Sequence, residues 1–278
     1  MMWEIRVLLD SEENVKNQQE AERIIQQYQE GKIQLPRLSQ REEAQLLVYD
    51  AYALTGRERE VLAKKAIDLS EECADAYGIL AKFARSKNEK LSYLDKGIEL
   101  AEKQIHPIIT KDPRAYWLDV HTRPYMRLLL HYGLVLKENG QLKKAMKTFH
   151  RLLEQNPDDH QGVRYVFIPL LLELGDLDEA DYWITLFYDE QDAFIEYAMF
   201  FIDLLDAEME DAEDLWYDAM QQNPFAAEYM MGEETLPLKV PEYYTSGSED
   251  EGIFIAQVLK PLWEKNSEFQ KSFNSVMV

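Results

Sequence analysis

The sequence predicts an all-α chain of antiparallel helix pairs stacked one on the next. Three observations carry that reading. Apolar residues recur at helical spacing almost from end to end. The 278 residues hold only 11 glycines and 10 prolines, few for the turns of an all-β chain. And the stretch "GQLKKAMKTFHRLLEQNP", Gly140 to Pro157, nearly recurs 67 residues later as "AEMEDAEDLWYDAMQQNP", Ala207 to Pro224. Ala145 matches Ala212, Phe149 matches Trp216 and Asn156-Pro157 matches Asn223-Pro224, while nearly every charge between them changes.

In chain order, "NQQEAERIIQQYQEG" places Ala21, Ile24, Ile25 and Tyr28 on one face and stops at Gly31. After Pro36, "SQREEAQLLVYDAYALTG" opens on Ser39 and Glu42 at capping-box spacing and is expected to close at Gly56. "REREVLAKKAIDLS", "ADAYGILAKFARS" and "NEKLSYLDKGIELAEKQ" follow with short polar connections, as antiparallel neighbours require. Three prolines in "IHPIITKDPRAYWLDVHTRPY" break the pattern, so 1–105 reads as an N-terminal helical half and 106–124 as a linker. Residues 125–231 read as further helix pairs, with Pro169 expected to kink its helix without breaking it. Residues 232–278 read as an irregular crossing and a final helix capped by Ser248 and Glu251, which Pro261 should kink or end.

The pairs repeat. Gly140 and Gly175 stand 35 apart, as do Ala145 and Ala180, and Ala180 to Ala212 is 32. A period near 34 with one helix pair per unit is the tetratricopeptide spacing. Alanine is retained where a facing helix leaves room for a methyl group only, the aromatic four residues on fills the groove, and Asn-Pro stops the second helix. The expected fold is a tetratricopeptide-like right-handed solenoid. From Thr122 the string "TRPYMRLLLHYGLVLKENGQLKKAMKTFHRLLEQNPDDHQGVRYVFIPLLLELGDLDEA", then "NPFAAEYMMG" and "PEYYTSGSEDE", resembles an uncharacterised bacterial group of tetratricopeptide-like proteins. Its end is similar to the C-terminal part of the suppression-of-tumorigenicity protein family. The resemblance leaves the first 105 residues uncovered beyond a loose repeat, and implies a helical scaffold with no catalytic motif.

Charge is distributed unevenly. The net charge is −22, and Tyr165 to Leu238 holds 20 Asp and Glu with no Lys or Arg, whereas Lys111 to Arg164 carries ten basic against six acidic residues. An acidic half repels phosphate backbones, so nucleic acid is an unfavourable partner and something basic a favourable one. No stretch is long and apolar enough to span a membrane: "AFIEYAMFFIDLL" is short and carries Glu196 and Asp203. The opening "MMWEIRVLLDSEENV" lacks a signal-peptide pattern. With the single Cys73 read as a buried thiol, a reducing, cytoplasmic setting is expected.

No catalytic constellation is legible. The five histidines, His106, His121, His131, His150 and His160, form no metal-ligand pair, "DAEMEDAED" lacks a calcium loop's glycine, and no glycine-rich phosphate loop exists. No metal or cofactor is implied. Arg123, Tyr125 and Arg127 lead one first helix, and Arg164 and Tyr165 lead the next. Because first helices of successive units line the concave face of such stacks, these five are the candidate peptide-binding groove. Of the aromatics Tyr182, Trp183, Phe187, Tyr188, Phe194, Tyr197, Phe200 and Phe201, most should pack between helices, and any left exposed should anchor a partner. Lys143, Lys144, Lys147 and Arg151 make a basic helix face that a second copy's acidic half could meet, so self-association is a further expectation. The sequence thus points to a non-catalytic protein- or peptide-binding scaffold. An enzyme with a scattered site and a structural subunit of an assembly are the alternatives.

Overall fold

Capping chemistry sets the first boundaries. Ser39 accepts from the Glu42 amide at 3.3 Å while the Glu42 carboxylate accepts from the Ser39 amide at 2.7 Å, so the capping box forms in full. The computed structural model describes residues 2–11, 18–105, 115–188, 192–205, 211–241, 243–265 and 271. Among them are fifteen helices and no strand. The chain divides into two units, Met1–His160 and Gln161–Val278.

The first unit runs α1 (Met2–Ser11), α2 (Gln18–Gln29), α3 (Gln40–Tyr52), α4 (Gly56–Leu69), α5 (Ala74–Ala81), α6 (Lys87–Ile105), α7 (Ala115–Leu118), α8 (Arg123–Glu138) and α9 (Leu142–Gln155). Neighbours pack as pairs, α3 on α4, α5 on α6 and α8 on α9, and α8 lies also against α5 and α6. The α3–α5 core is built on small residues, with Ala44, Ala51, Ala63, Ala66 and Ala76 all fully buried, which lets these helix axes approach closely. At the α8–α9 crossing a methyl group on Gly133 would stand 2.5 Å from the Phe149 ring, and Ala145 is fully buried beside it. Gly56 does not close α3 as expected. The helix ends at Tyr52, where the Ala53 amide turns back to Asp50 and Ala51, and Gly56, at φ +55°, instead opens α4. Residues 106–114 of the expected linker lie outside the described residues, and α7 and α8, which follow, belong to the first unit.

The second unit runs α10 (Arg164–Leu174), α11 (Leu177–Phe187), α12 (Ala193–Leu205), α13 (Ala212–Gln222), α14 (Pro224–Met231) and α15 (Glu249–Lys265). Pairing continues, α10 on α11, α12 on α13 and α14 on α15, and α10 packs against α12 and α15. Large rings fill this core: Phe167, Phe194, Tyr197, Phe200 and Phe201 are fully buried, and Trp216 leans on Phe200 at 4.9 Å and on Tyr197 at 5.7 Å. The prolines are accommodated, since α10 continues through Pro169 and α15 runs on past Pro261 to Lys265.

Asn223 is the polar centre of this unit. Fully buried, it ends α13 and caps α14 at once, its Oδ1 accepting from the Ala226 amide at 3.2 Å. Its Nδ2 donates to the Ser248 carbonyl and to Glu251 Oε2, both at 2.9 Å, tying the start of α15 to the α13–α14 junction. Ser248 caps α15 through the Glu251 amide, but the Glu251 carboxylate does not return to the Ser248 amide. It accepts instead from Asn223 and from the Gly247 amide at 2.7 Å. Local capping chemistry has been diverted to a contact 28 residues away.

Candidate functional site

In the first unit, helical spacing gives α5 a face of Asp75, Gly78 and Ile79, continued by Lys82 at its C-cap, and gives α8 a face of Arg127, Leu130, His131 and Leu134. The two faces border a cleft of about 250 Å³, with Tyr52 and Leu128 completing its lining. Space is tight at Gly78, where a methyl group would sit 3.0 Å from Leu128 Cδ2.

One end of the cleft is a buried carboxylate. The Asp75 side chain is 1% exposed. Its Oδ1 accepts from Tyr52 Oη at 2.8 Å and Arg127 Nε at 3.2 Å. Its Oδ2 accepts from Gln45 Nε2 at 3.1 Å and an Arg127 terminal nitrogen at 2.5 Å. Two-oxygen, two-nitrogen pairing of this kind fixes the guanidinium plane. A carboxylate has about four lone-pair positions, so Asp75 has none left with which to take a substrate proton. It is a counter-ion that orients Arg127. The Arg127 side chain is 30% exposed and lies 5.5 Å from the Tyr52 ring centre and 5.9 Å from that of Tyr49. Burial acts to lower the Arg127 pKa; the Asp75 charge and its hydrogen bonds override this and hold it above the usual value.

Farther along, His131 is held neutral. Burial lowers its pKa to about 4, and the Lys82 and Lys90 charges push the same way, against a hydrogen bond with the Gly78 backbone. Lys90 is 3.8 Å from Glu138, whereas exposed Lys82 has no ion-pair partner among the described residues. The cleft is therefore apolar along its sides, neutralised at the Asp75–Arg127 end and positive at Lys82.

The five groove residues have separate placements. Arg123 donates from Nε to the Trp117 carbonyl at 3.0 Å and lies over that indole at 5.0 Å. Tyr125 is fully buried under the Arg151 guanidinium, 5.4 Å from its ring centre. Arg127 alone of the five lines the cleft. In the second unit Arg164 is 6% exposed, its guanidinium 4.3 Å above Phe187 and 5.5 Å from the Tyr165 ring. Tyr165 donates to Asp192 at 2.5 Å and meets Phe194 and Phe254 edge-on. Asp75, Gln45, Tyr52 and Lys82 were not singled out by sequence. The available signal was Asp75 itself, an acid in the otherwise apolar run "CADAYGILA".

In the aromatic set, Trp183, Phe187, Phe194, Tyr197, Phe200 and Phe201 are buried. Tyr182 and Tyr188 remain 57% and 50% exposed, joined by Leu186 at 49%. Tyr182 and Leu186 stand one turn apart on α11, beside exposed Asp178 and Asp181. Among the described residues no group of His, Cys, Asp and Glu is arranged to hold a metal ion, and no helix is long and apolar enough to cross a membrane. No protein family, curated protein or solved structure matches the chain.

Proposed function

We propose that this protein is a non-catalytic binding scaffold of tetratricopeptide-like, right-handed solenoid design, working in the cytoplasm. Its partner is a protein or peptide segment that presents a basic amphipathic helix. The observation that carries the reading is the outer face of α11, where Tyr182 and Leu186 stay exposed beside Asp178 and Asp181 in a stretch with no basic residue. Half-exposed tyrosines give large contact area at low entropic cost, and a one-sign surface steers oppositely charged partners. The helix pairing and the tight Gly133–Phe149 crossing support the solenoid reading. The cleft is too small for this role, because a stable protein contact buries ~800 Å² on each partner.

Fluorescence anisotropy with a labelled Lys/Leu amphipathic helix, against a scrambled peptide of equal charge, tests the proposal. Binding of the helix, weakened at least tenfold by Tyr182→Ala with Leu186→Ala and clearly weakened when the peptide is scrambled, is the expected result. Equal binding of helix and scramble would reduce the face to a non-specific acidic surface and overturn the reading. Should the basic face of α9 in a second copy supply the helix, the chain will sediment as a dimer at low salt, and Lys147→Glu with Arg151→Glu will return it to monomer.

A further inference from the structure

We propose that the α5–α8 cleft binds a small aliphatic carboxylate, a straight-chain acid of roughly six to eight carbons if each methylene takes up about the ~30 Å³ of one water. This goes beyond the docking reading of α11 and does not depend on it.

Size, wall chemistry and charge converge on that class. A cleft of about 250 Å³ holds a short chain and little more. Its sides are Ile79, Leu130 and Leu134, which reward an alkyl chain in proportion to the area they cover. Its two ends differ. At one, Asp75 uses only the Nε and one terminal nitrogen of Arg127, and a guanidinium carries five N–H donors. Arg127 also hydrogen-bonds the Tyr49 and Tyr52 hydroxyls, so this end is neutral and largely satisfied. At the other, the exposed Lys82 ammonium has no ion-pair partner among the described residues. A carboxylate at the Lys82 end, with its chain running towards the neutral Asp75–Arg127 pair, supplies what that end lacks. An amine would meet Lys82 as a like charge, and the Asp75 oxygens that could receive it are already occupied. An alcohol would fill the walls but leave the ammonium uncompensated.

Titration calorimetry on the full chain near neutral pH decides the matter, with butanoate, hexanoate and octanoate as probes beside the alcohols and amines of equal length. Saturable binding by the acids is expected, tightening roughly fourfold per methylene until the cleft is full, with alcohols and amines at least tenfold weaker. Lys82→Glu, a change on an exposed side chain, should weaken octanoate at least tenfold and leave octanol unchanged. Leu134→Trp should fill the cleft and remove binding of both; should that variant not fold, the Lys82→Glu and Lys82→Gln pair decides. Equal affinity for acid and alcohol, undiminished octanoate binding by Lys82→Glu, or no binding by any acid overturns the proposal. None of these outcomes bears on the α11 face, whose peptide assay is separate.

Discussion

Each unit contains a buried polar cluster that joins several helices, and the two clusters are solved in opposite ways. In the first, a carboxylate at 1% exposure is matched by a guanidinium, so charge is buried in a compensated pair. In the second, the buried centre is an amide: Asn223 bridges the Ala226 amide, the Ser248 carbonyl and a single carboxylate, Glu251. The first centre specifies the orientation of a side chain that reaches solvent. The second specifies chain path, since every partner of the Asn223 side chain lies at the start of a helix. A centre that presents a group to a cleft needs a charge held in plane, whereas one that fastens helix ends needs donor and acceptor on the same small side chain. The comparison teaches that buried polarity here serves two jobs, and that net charge separates them.

The largest expected effects come from exchanging the two solutions. Arg127→Met leaves Asp75 buried without a cation and should cost ~3–5 kcal/mol. Asp75→Leu combined with Arg127→Met should recover most of that loss, as replacement of whole buried pairs often does. Asn223→Asp sets a second carboxylate against Glu251 in a buried site and should destabilise by a similar ~3 kcal/mol or more at neutral pH. Its loss should shrink on acidification, as one proton shared between the two acids relieves the repulsion. Urea unfolding curves at pH 7 and pH 5 measure all four chains. If Asn223→Asp folds with wild-type stability at pH 7, the distinction between the two centres collapses.

Next in size are the glycines that let helices touch. At Gly252 a methyl group would meet Phe225 Cβ at 2.6 Å and the Ala226 amide nitrogen at 2.8 Å, and backbone cannot step aside. At Gly133 the three nearest atoms all belong to the Phe149 ring, the closest at 2.5 Å. Both Gly→Ala changes should cost ~1–3 kcal/mol by overpacking, with Gly252→Ala the larger. Thermal melts that rank them the other way would mean that the Phe149 ring is the less yielding neighbour.

The smallest effect sharpens the cleft side alone. The folded pKa of His131, about 4, lies below the ordinary 6.5. As pH falls through 6.5 the unfolded chain takes up a proton that the folded chain refuses until about 4. This stability is therefore complete above pH 6.5 and lost between 6.5 and 4. Discounted for partial solvent exposure, it amounts to ~1–2 kcal/mol. His131→Gln should flatten that part of the stability profile relative to wild type. An unchanged profile from pH 7 to 5 would show that His131 titrates normally.

The sequence made the helices legible because their signals are local. Ser39 with Glu42, Gly175 in the left-handed region closing α10, and the fully buried Ala145, Ala180 and Ala212 each follow from a few neighbouring residues. The cleft was not legible. Asp75 meets Gln45, Tyr52 and Arg127 from 30, 23 and 52 residues away, and no local spacing encodes such meetings. Glu251 shows the same limit from the other side. Its spacing from Ser248 is that of a capping box, yet a tertiary donor takes its carboxylate. The groove residues were chosen for type and position at helix starts. Tyr125 and Arg164 satisfy both criteria, but their rings and charge are absorbed by packing.

The Asn223–Pro224 junction has a consequence for how this protein opens. One residue ends α13, starts α14 and grips the beginning of α15, so three helices share a single cap even though a non-helical crossing joins α14 to α15. Fraying of any one of them would strip the others of a cap. Amide protons of α13, α14 and α15 should therefore exchange with deuterium as one cooperative block with a shared opening free energy. A protease able to cut one of these helices would thus have to wait for all three to come apart.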